Sequence, residues 1–168
     1  MSMTIRRARP QDLDAIAAIY AHEVINGIST FDLTPPPLSY WASRLASPEM
    51  GDHFLVAEAN GAEFSTILGY AYSASYRPRP AYRHTKETSI YVDTAARGQG
   101  LGRPLYDALL DLLRADVEVH TAVAVVALPN NASLALHRRC GFEEVGVFRE
   151  VGRKFDAWID TAYLQRSF

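Results

Sequence analysis

Apolar residues along this chain switch between two rhythms, and the switches mark out its elements. The opening, Thr4 to Arg9, reads as extended before Pro10, and Asp12 is placed to cap a helix over Leu13 to Val24. There Leu13, Ile16, Tyr20 and Val24 recur every three or four residues and predict one buried stripe. The pattern fades at Asn26-Gly27. Three prolines, Pro35 to Pro37, then remove backbone donors and hold the chain extended, predicting a stiff connection or cleft wall across 29–38. A short amphipathic helix is predicted over Ser39 to Ala46, ahead of the breaker Ser47-Pro48.

Strand signals take over next. His53 to Ala59 and Ile67 to Ser75 read as antiparallel strands joined through Asn60-Gly61 and a few polar residues. A basic, aromatic loop, Arg77 to His84, leads to a strand over Lys86 to Asp93, whose Glu87, Ser89, Tyr91 and Asp93 share one face. A helix is predicted from about Arg103 to Arg114, with Leu105, Leu109 and Leu112 as its core stripe. Val119 to Leu128 is almost continuously apolar, which predicts a central strand covered on both faces. A helix over Ala132 to Arg139, ended by Gly141, and strands over Phe142–Phe148 and Lys154–Tyr163 complete one mixed α/β domain spanning residues 1–168.

Composition narrows the function classes. With 48% hydrophobic and 21% charged residues in 168, the chain can bury a core, which argues against disorder. Its 17 Lys+Arg against 19 Asp+Glu give no broad basic face for nucleic acid. One cysteine excludes an intramolecular disulfide and a Cys-rich zinc site, and the five histidines form no HExxH motif, so no metal is expected. Neither a signal-peptide core nor an apolar run long enough to span a membrane is present. A cytoplasmic location without a membrane partner is expected.

The strongest local signal is the turn Arg97-Gly98-Gln99-Gly100-Leu101-Gly102 between a strand and a helix. Closely spaced glycines let backbone N–H groups converge at a helix N-terminus, a physical cradle for pyrophosphate. The spacing fits neither GxxxxGK[ST] nor GxGxxG.

Together with Tyr91-Val92-Asp93 before it and Asn130-Asn131-Ala132-Ser133-Leu134-Ala135-Leu136-His137 after it, this turn resembles the acyl-CoA-binding core of the GNAT acetyltransferase superfamily. Ser29-Thr30-Phe31, Arg79 to Tyr82 and His84 to Val92 make the resemblance closest to phosphinothricin N-acetyltransferases and methionine sulfoximine/sulfone acetyltransferases. It implies a single-domain α/β GNAT fold: a strongly twisted mixed sheet, helices on both faces, splayed between the fourth and fifth strands. Acetyl-CoA would be the cosubstrate. Its arm would meet Tyr91 and Val92, its pyrophosphate Arg97, Gly98, Gln99, Gly100, Leu101 and Gly102, and its pantetheine Asn131. Glu87 takes the family's carboxylate position and would act as general base, through water. His137 would orient the acceptor, bind its anionic group or protonate the departing thiolate. Arg79 and Tyr82, with Arg77 in the same loop and Phe31 as an apolar wall, would select a small amino acid or amine. A homodimer is also implied. Acetylation of peptide or protein N-termini, and a nonenzymatic CoA-binding module, are the alternatives. Cys140 is expected to be a buried structural residue.

Overall fold

The computed structural model describes residues 2–61 and 65–168. The last of the polar residues expected after Gly61, at 62–64, lie outside the described residues. In chain order the elements are β1 (Ser2–Arg7), α1 (Leu13–Asn26), α2 (Leu38–Leu45), β2 (Phe54–Asn60), β3 (Ser65–Ser75) and β4 (Thr85–Val92). They continue with α3 (Gly102–Ala115), β5 (Thr121–Ala127), α4 (Asn131–Arg139), β6 (Glu143–Lys154) and β7 (Ala157–Ser167). One seven-stranded sheet runs β1-β2-β3-β4-β5-β7-β6. Every neighbouring pair is antiparallel except β4–β5.

The strand period of two sorts side chains between two cores. On one face Tyr70, Tyr72, Phe54 and Val56 meet Leu13, Ile16, Tyr20 and Val24 of α1 and Trp41 of α2. Trp41 is fully buried among Tyr20, Tyr70, Tyr72 and Phe54, with the Tyr20 and Tyr70 rings edge-on to it. Truncating so enclosed an aromatic costs about 3–5 kcal/mol. On the other face Leu105, Leu109 and Leu113 of α3 cover Leu55, Ala71, Ala122 and Ala124. Helices therefore flank both faces of the mixed sheet, as expected.

Four sequence-based expectations change. Asp12 precedes α1 but makes no side-chain cap to it. Its carboxylate accepts the Arg9 N–H and two hydrogen bonds from Arg6, whose guanidinium also reaches Glu58, because a fixed cation fork offers more than one orphan N–H. On α3, Leu113 is fully buried and Leu112 only partly so, since the stripe advances by fours from Leu105. Lys154 ends β6 rather than opening the last strand, and Phe155-Asp156, both at positive φ, turn the hairpin.

The fourth correction opens the site. β5 is not covered on both faces: Ala122, Ala124 and Val126 are buried, whereas Val125 on the other face is 36% exposed. No β5 residue joins the core that α1 and α2 cover. The apolar run expected of an enclosed strand instead lines a groove.

Candidate active site

Parallel pairing of β4 with β5 lasts only three residues, Thr85↔Thr121, Lys86↔Ala122 and Glu87↔Val123. Beyond Glu87 the strands part. A groove of about 550 Å³ occupies the gap, walled by Thr88 to Val92 of β4, Val125 to Ala127 of β5, the glycine turn and α4.

Gly98 and Gly100 hold φ of +75° and +77°, a left-handed conformation that side chains disfavour. A Cβ built on either would meet no protein atom within 4 Å, so the concavity faces open groove. Leu101 is buried beneath the turn, and Gly102 opens α3. This cradle of turn amides at a helix start fits a pyrophosphate. Tyr91 commits its ring to Tyr20 and Tyr70, so at the groove β4 offers its main chain here. Asn130, rather than Asn131, lines the groove, and its side chain caps α4 by accepting the Ser133 N–H at 3.1 Å. Gln99 is turned onto the Ala95 carbonyl, at 3.0 Å.

Arg97 is not free. Its Nη2 pairs with the Glu23 carboxylate and its Nε donates to the Val92 carbonyl at 3.2 Å. Glu23 in turn accepts the Ser29 hydroxyl. Burial works to raise the Glu23 pKa, but the Ser29 and Arg97 hydrogen bonds outweigh it and hold the carboxyl below its usual range. One buried carboxylate thus ties the glycine turn to the loop that carries Phe31. Lys154 fastens the same loop from the other end of the chain, donating to the Thr30 carbonyl at 2.9 Å and to the Glu23 carbonyl at 3.3 Å. Phe31 packs against Gly152, where an added Cβ would fall 2.4 Å from ring atoms.

Glu87 stands at the mouth of the split, on the face it shares with Ser89 and Tyr91. Burial raises its pKa, and the charges of Arg44 and then Arg77 partly offset that rise. Tyr163 of β7, paired with Val125 of β5, has its pKa raised by burial and lies within reach of the charges of Glu87 and Arg77. In the Arg77–Tyr82 loop, Arg77 lies over the Tyr76 ring and Tyr82 meets Tyr76 edge-on. Arg79 and Tyr82 are exposed and lie outside the groove lining.

His137 is buried against Tyr106 and Phe142 and lines the groove. Its Nδ1 lies 2.7 Å from the Ser133 carbonyl, which can only accept, so Nδ1 carries the proton. Burial lowers its pKa, against the smaller opposing effect of the Ser133 hydrogen bond. The neutral ring therefore presents Nε2 as an acceptor, suited to receiving a hydrogen bond and not to donating a proton. Cys140 is buried, and its thiol is pushed up to about 12 by burial and by Asp107. It is no nucleophile.

Sequence reasoning missed Glu23 and Arg44. Both left a signal: Glu23 is an acid on the buried stripe of α1, and Arg44 follows the core Trp41 by three residues, less than one helical turn. Among the described residues no group of three or more His, Cys, Asp or Glu side chains is placed to hold a metal ion. No described helix is long and apolar enough to cross a membrane.

A mixed sheet split after its fourth strand, with a left-handed glycine cradle at the open end, defines an acyl-CoA-dependent transferase. The model of the acetyltransferase (GNAT) domain matches residues 5–163, and the chain belongs to that family, as an acetyl-CoA-dependent acetyltransferase. It is 43% identical over 164 residues to phosphinothricin N-acetyltransferase from Alcaligenes faecalis, covering 97% of this chain and 81% of that protein. Against the L-methionine sulfoximine/L-methionine sulfone acetyltransferase of Pseudomonas aeruginosa it is 39% identical over 168 residues, covering 98% and 94%. The structure of a phosphinothricin acetyltransferase from Sinorhizobium meliloti in complex with AcCoA superposes with a TM-score of 0.88 at 36% identity, covering 100% of this chain and 89% of that one.

Proposed function

We propose that this protein acetylates the α-amine of a small amino acid or amino acid analogue, with phosphinothricin, methionine sulfoximine and methionine sulfone as the acceptors to test. The observation that carries the reading is the position of Glu87, the last β4 residue paired with β5 before the strands part. A carboxylate there stands beside the point where a thioester threaded through the split would emerge. The relatives named for these acceptors, similar over nearly the whole chain, support the choice.

Acetyl-CoA supplies the acetyl group, with its pyrophosphate on the amides of residues 98–102 and its arm along the β4 main chain. The acceptor enters as an ammonium, which has no lone pair. Glu87 takes one proton from it, directly or through water, and the freed amine attacks the acetyl carbonyl. As the C–S bond breaks, the adduct's second amine proton passes through water to the departing thiolate, which leaves as CoA thiol. β4 main-chain N–H groups facing the groove would stabilise the oxyanion. Phe31, Tyr82 and the loop arginines wall the acceptor. His137, neutral with Nε2 as an acceptor, positions a donor N–H or water and does not protonate the thiolate.

The homodimer has a surface to use in Val145, Val147, Phe148, Val151 and Trp158, all exposed on β6 and β7. Light scattering at the monomer mass would remove that part of the proposal. The activity is tested by acetyl-CoA consumption over a panel of small amines, with product masses measured. Tight acetyl-CoA binding without any acetylated product would count against it and favour a protein N-terminus as acceptor, or a nonenzymatic role.

A further inference from the structure

Arg44 carries a charge that no described carboxylate pairs with. Because it follows Trp41 on α2, the helix that seats the indole in the core also turns the guanidinium inward. Cζ lies 4.1 Å over the Tyr72 ring and 5.2 Å from the Tyr40 ring, and Nη2 donates to the Tyr40 hydroxyl at 2.7 Å. Nε is buried without a hydrogen-bond partner. Among the described residues Arg44 forms no ion pair. Asp52, whose charge reaches Arg44, is already taken by the Lys86 ammonium at 2.8 Å and the Ser47 hydroxyl at 2.7 Å.

A guanidinium keeps its charge at every working pH, and covering it with neutral rings leaves much of its lost hydration unreturned. Such a residue is matched by an anion that arrives from outside. Its position says which anion. Tyr72 pairs across β3–β4 with Ser89, and Ala74 pairs with Glu87, so Arg44 and Glu87 sit over neighbouring positions of one floor. They are opposite in charge and do not touch. An amino acid zwitterion between them would turn its ammonium toward the carboxylate and its carboxylate toward the guanidinium.

We propose that Arg44 is the receptor for the acceptor's carboxylate, with the exposed Arg77 and Arg79 left to guide the acceptor at the rim. The proposal rests on the amine-acetylation reading above and adds a demand to it: the acceptor carries an anion beside its amine. The charge of Arg44 already acts on Glu87 at this range, ahead of that of Arg77.

The test compares methionine sulfone with its carboxamide, the same amine without the anion, as acceptors for the wild type, Arg44→Met, Arg44→Lys and Tyr40→Phe. Methionine keeps the stem that covers Tyr72 and removes the charge. It should lower kcat/KM for the acid relative to the amide by about 10- to 100-fold, mostly through KM. Lysine should restore part of that preference. Acetyl-CoA affinity should not move, because Arg44 does not line the cofactor groove. Tyr40→Phe keeps the charge and loses only its tether, and should shift the same ratio several-fold; it decides the matter if Arg44→Met does not fold. An unchanged acid-to-amide ratio in folded Arg44→Met, or in Tyr40→Phe failing that, overturns the assignment while the acetylation reading stands. A wild type that binds acetyl-CoA yet acetylates neither compound overturns both.

Discussion

Replacing Glu87 with Gln separates chemistry from folding, because the two should move in opposite directions. Gln keeps the volume and removes the base, so the single-turnover rate of acetyl transfer should fall about 10²–10⁴-fold, equivalent to about 2.7–5.4 kcal/mol of barrier. The wild-type rate should decline as pH drops through the Glu87 pKa, which burial has raised, since the protonated carboxyl accepts nothing. In Glu87→Gln that limb should vanish, leaving a rate that climbs with the fraction of free amine. Stability follows the opposite sign. A carboxyl whose pKa rises on folding holds its proton more tightly when folded. Its contribution is complete below the unfolded-state pKa and is lost as pH rises through the folded value. At pH 7–8 the buried charge is therefore a burden, and Glu87→Gln should melt at the same temperature or higher. Transfer rates would be measured by rapid quench with acetyl-CoA saturating, and melting by calorimetry across pH. Wild-type rates in the variant, or a clear drop in its melting temperature, would refute the argument; the second would mark Glu87 as a structural carboxylate.

Gly100→Val forces a branched side chain into a left-handed position and into the open cradle. It should weaken acetyl-CoA about tenfold or more by calorimetry, and unchanged affinity in the folded variant would place the pyrophosphate elsewhere. Asp52→Asn leaves the buried Lys86 ammonium without its carboxylate, costing about 3–5 kcal/mol, and should lower the melting temperature by about 6–20 °C. Arg79→Ala, at an exposed rim, should raise the KM of a carboxylate acceptor only a few-fold. Arg77→Ala should also move the acidic limb of the pH–rate profile upward, because its charge lowers the Glu87 pKa; an equal profile in both variants would contradict that reach.

Local signals were enough for the order of elements and for the glycine turn at the strand-to-helix junction. The glycine spacing, a period-two strand before it and a leucine stripe after it are contained in one stretch from Thr85 to Leu113, and the structure keeps them together. What period and composition could not reveal depends on contacts between distant segments. Val119–Leu128 reads as an enclosed strand because hydrophobicity reports apolar surroundings and cannot tell a packed helix from a ligand groove. Asp12 looks like a cap until Arg6 competes for it. The proposed acceptor side draws on residues with no shared motif: Phe31 from a loop, Arg44 from α2 and Glu87 from β4.

The clasp between Lys154, Gly152 and the Phe31 loop gives the proposed acceptor wall an owner far from it in the chain. A side chain at position 152 would collide with Phe31, and a neutral residue at 154 would leave the Thr30 carbonyl without its donor. Either change would shift the wall without touching an acceptor. Differences in acceptor range between close relatives can therefore be inherited through the tip of the C-terminal hairpin while the residues around the amine stay the same, and selection for a new acceptor has two places to act.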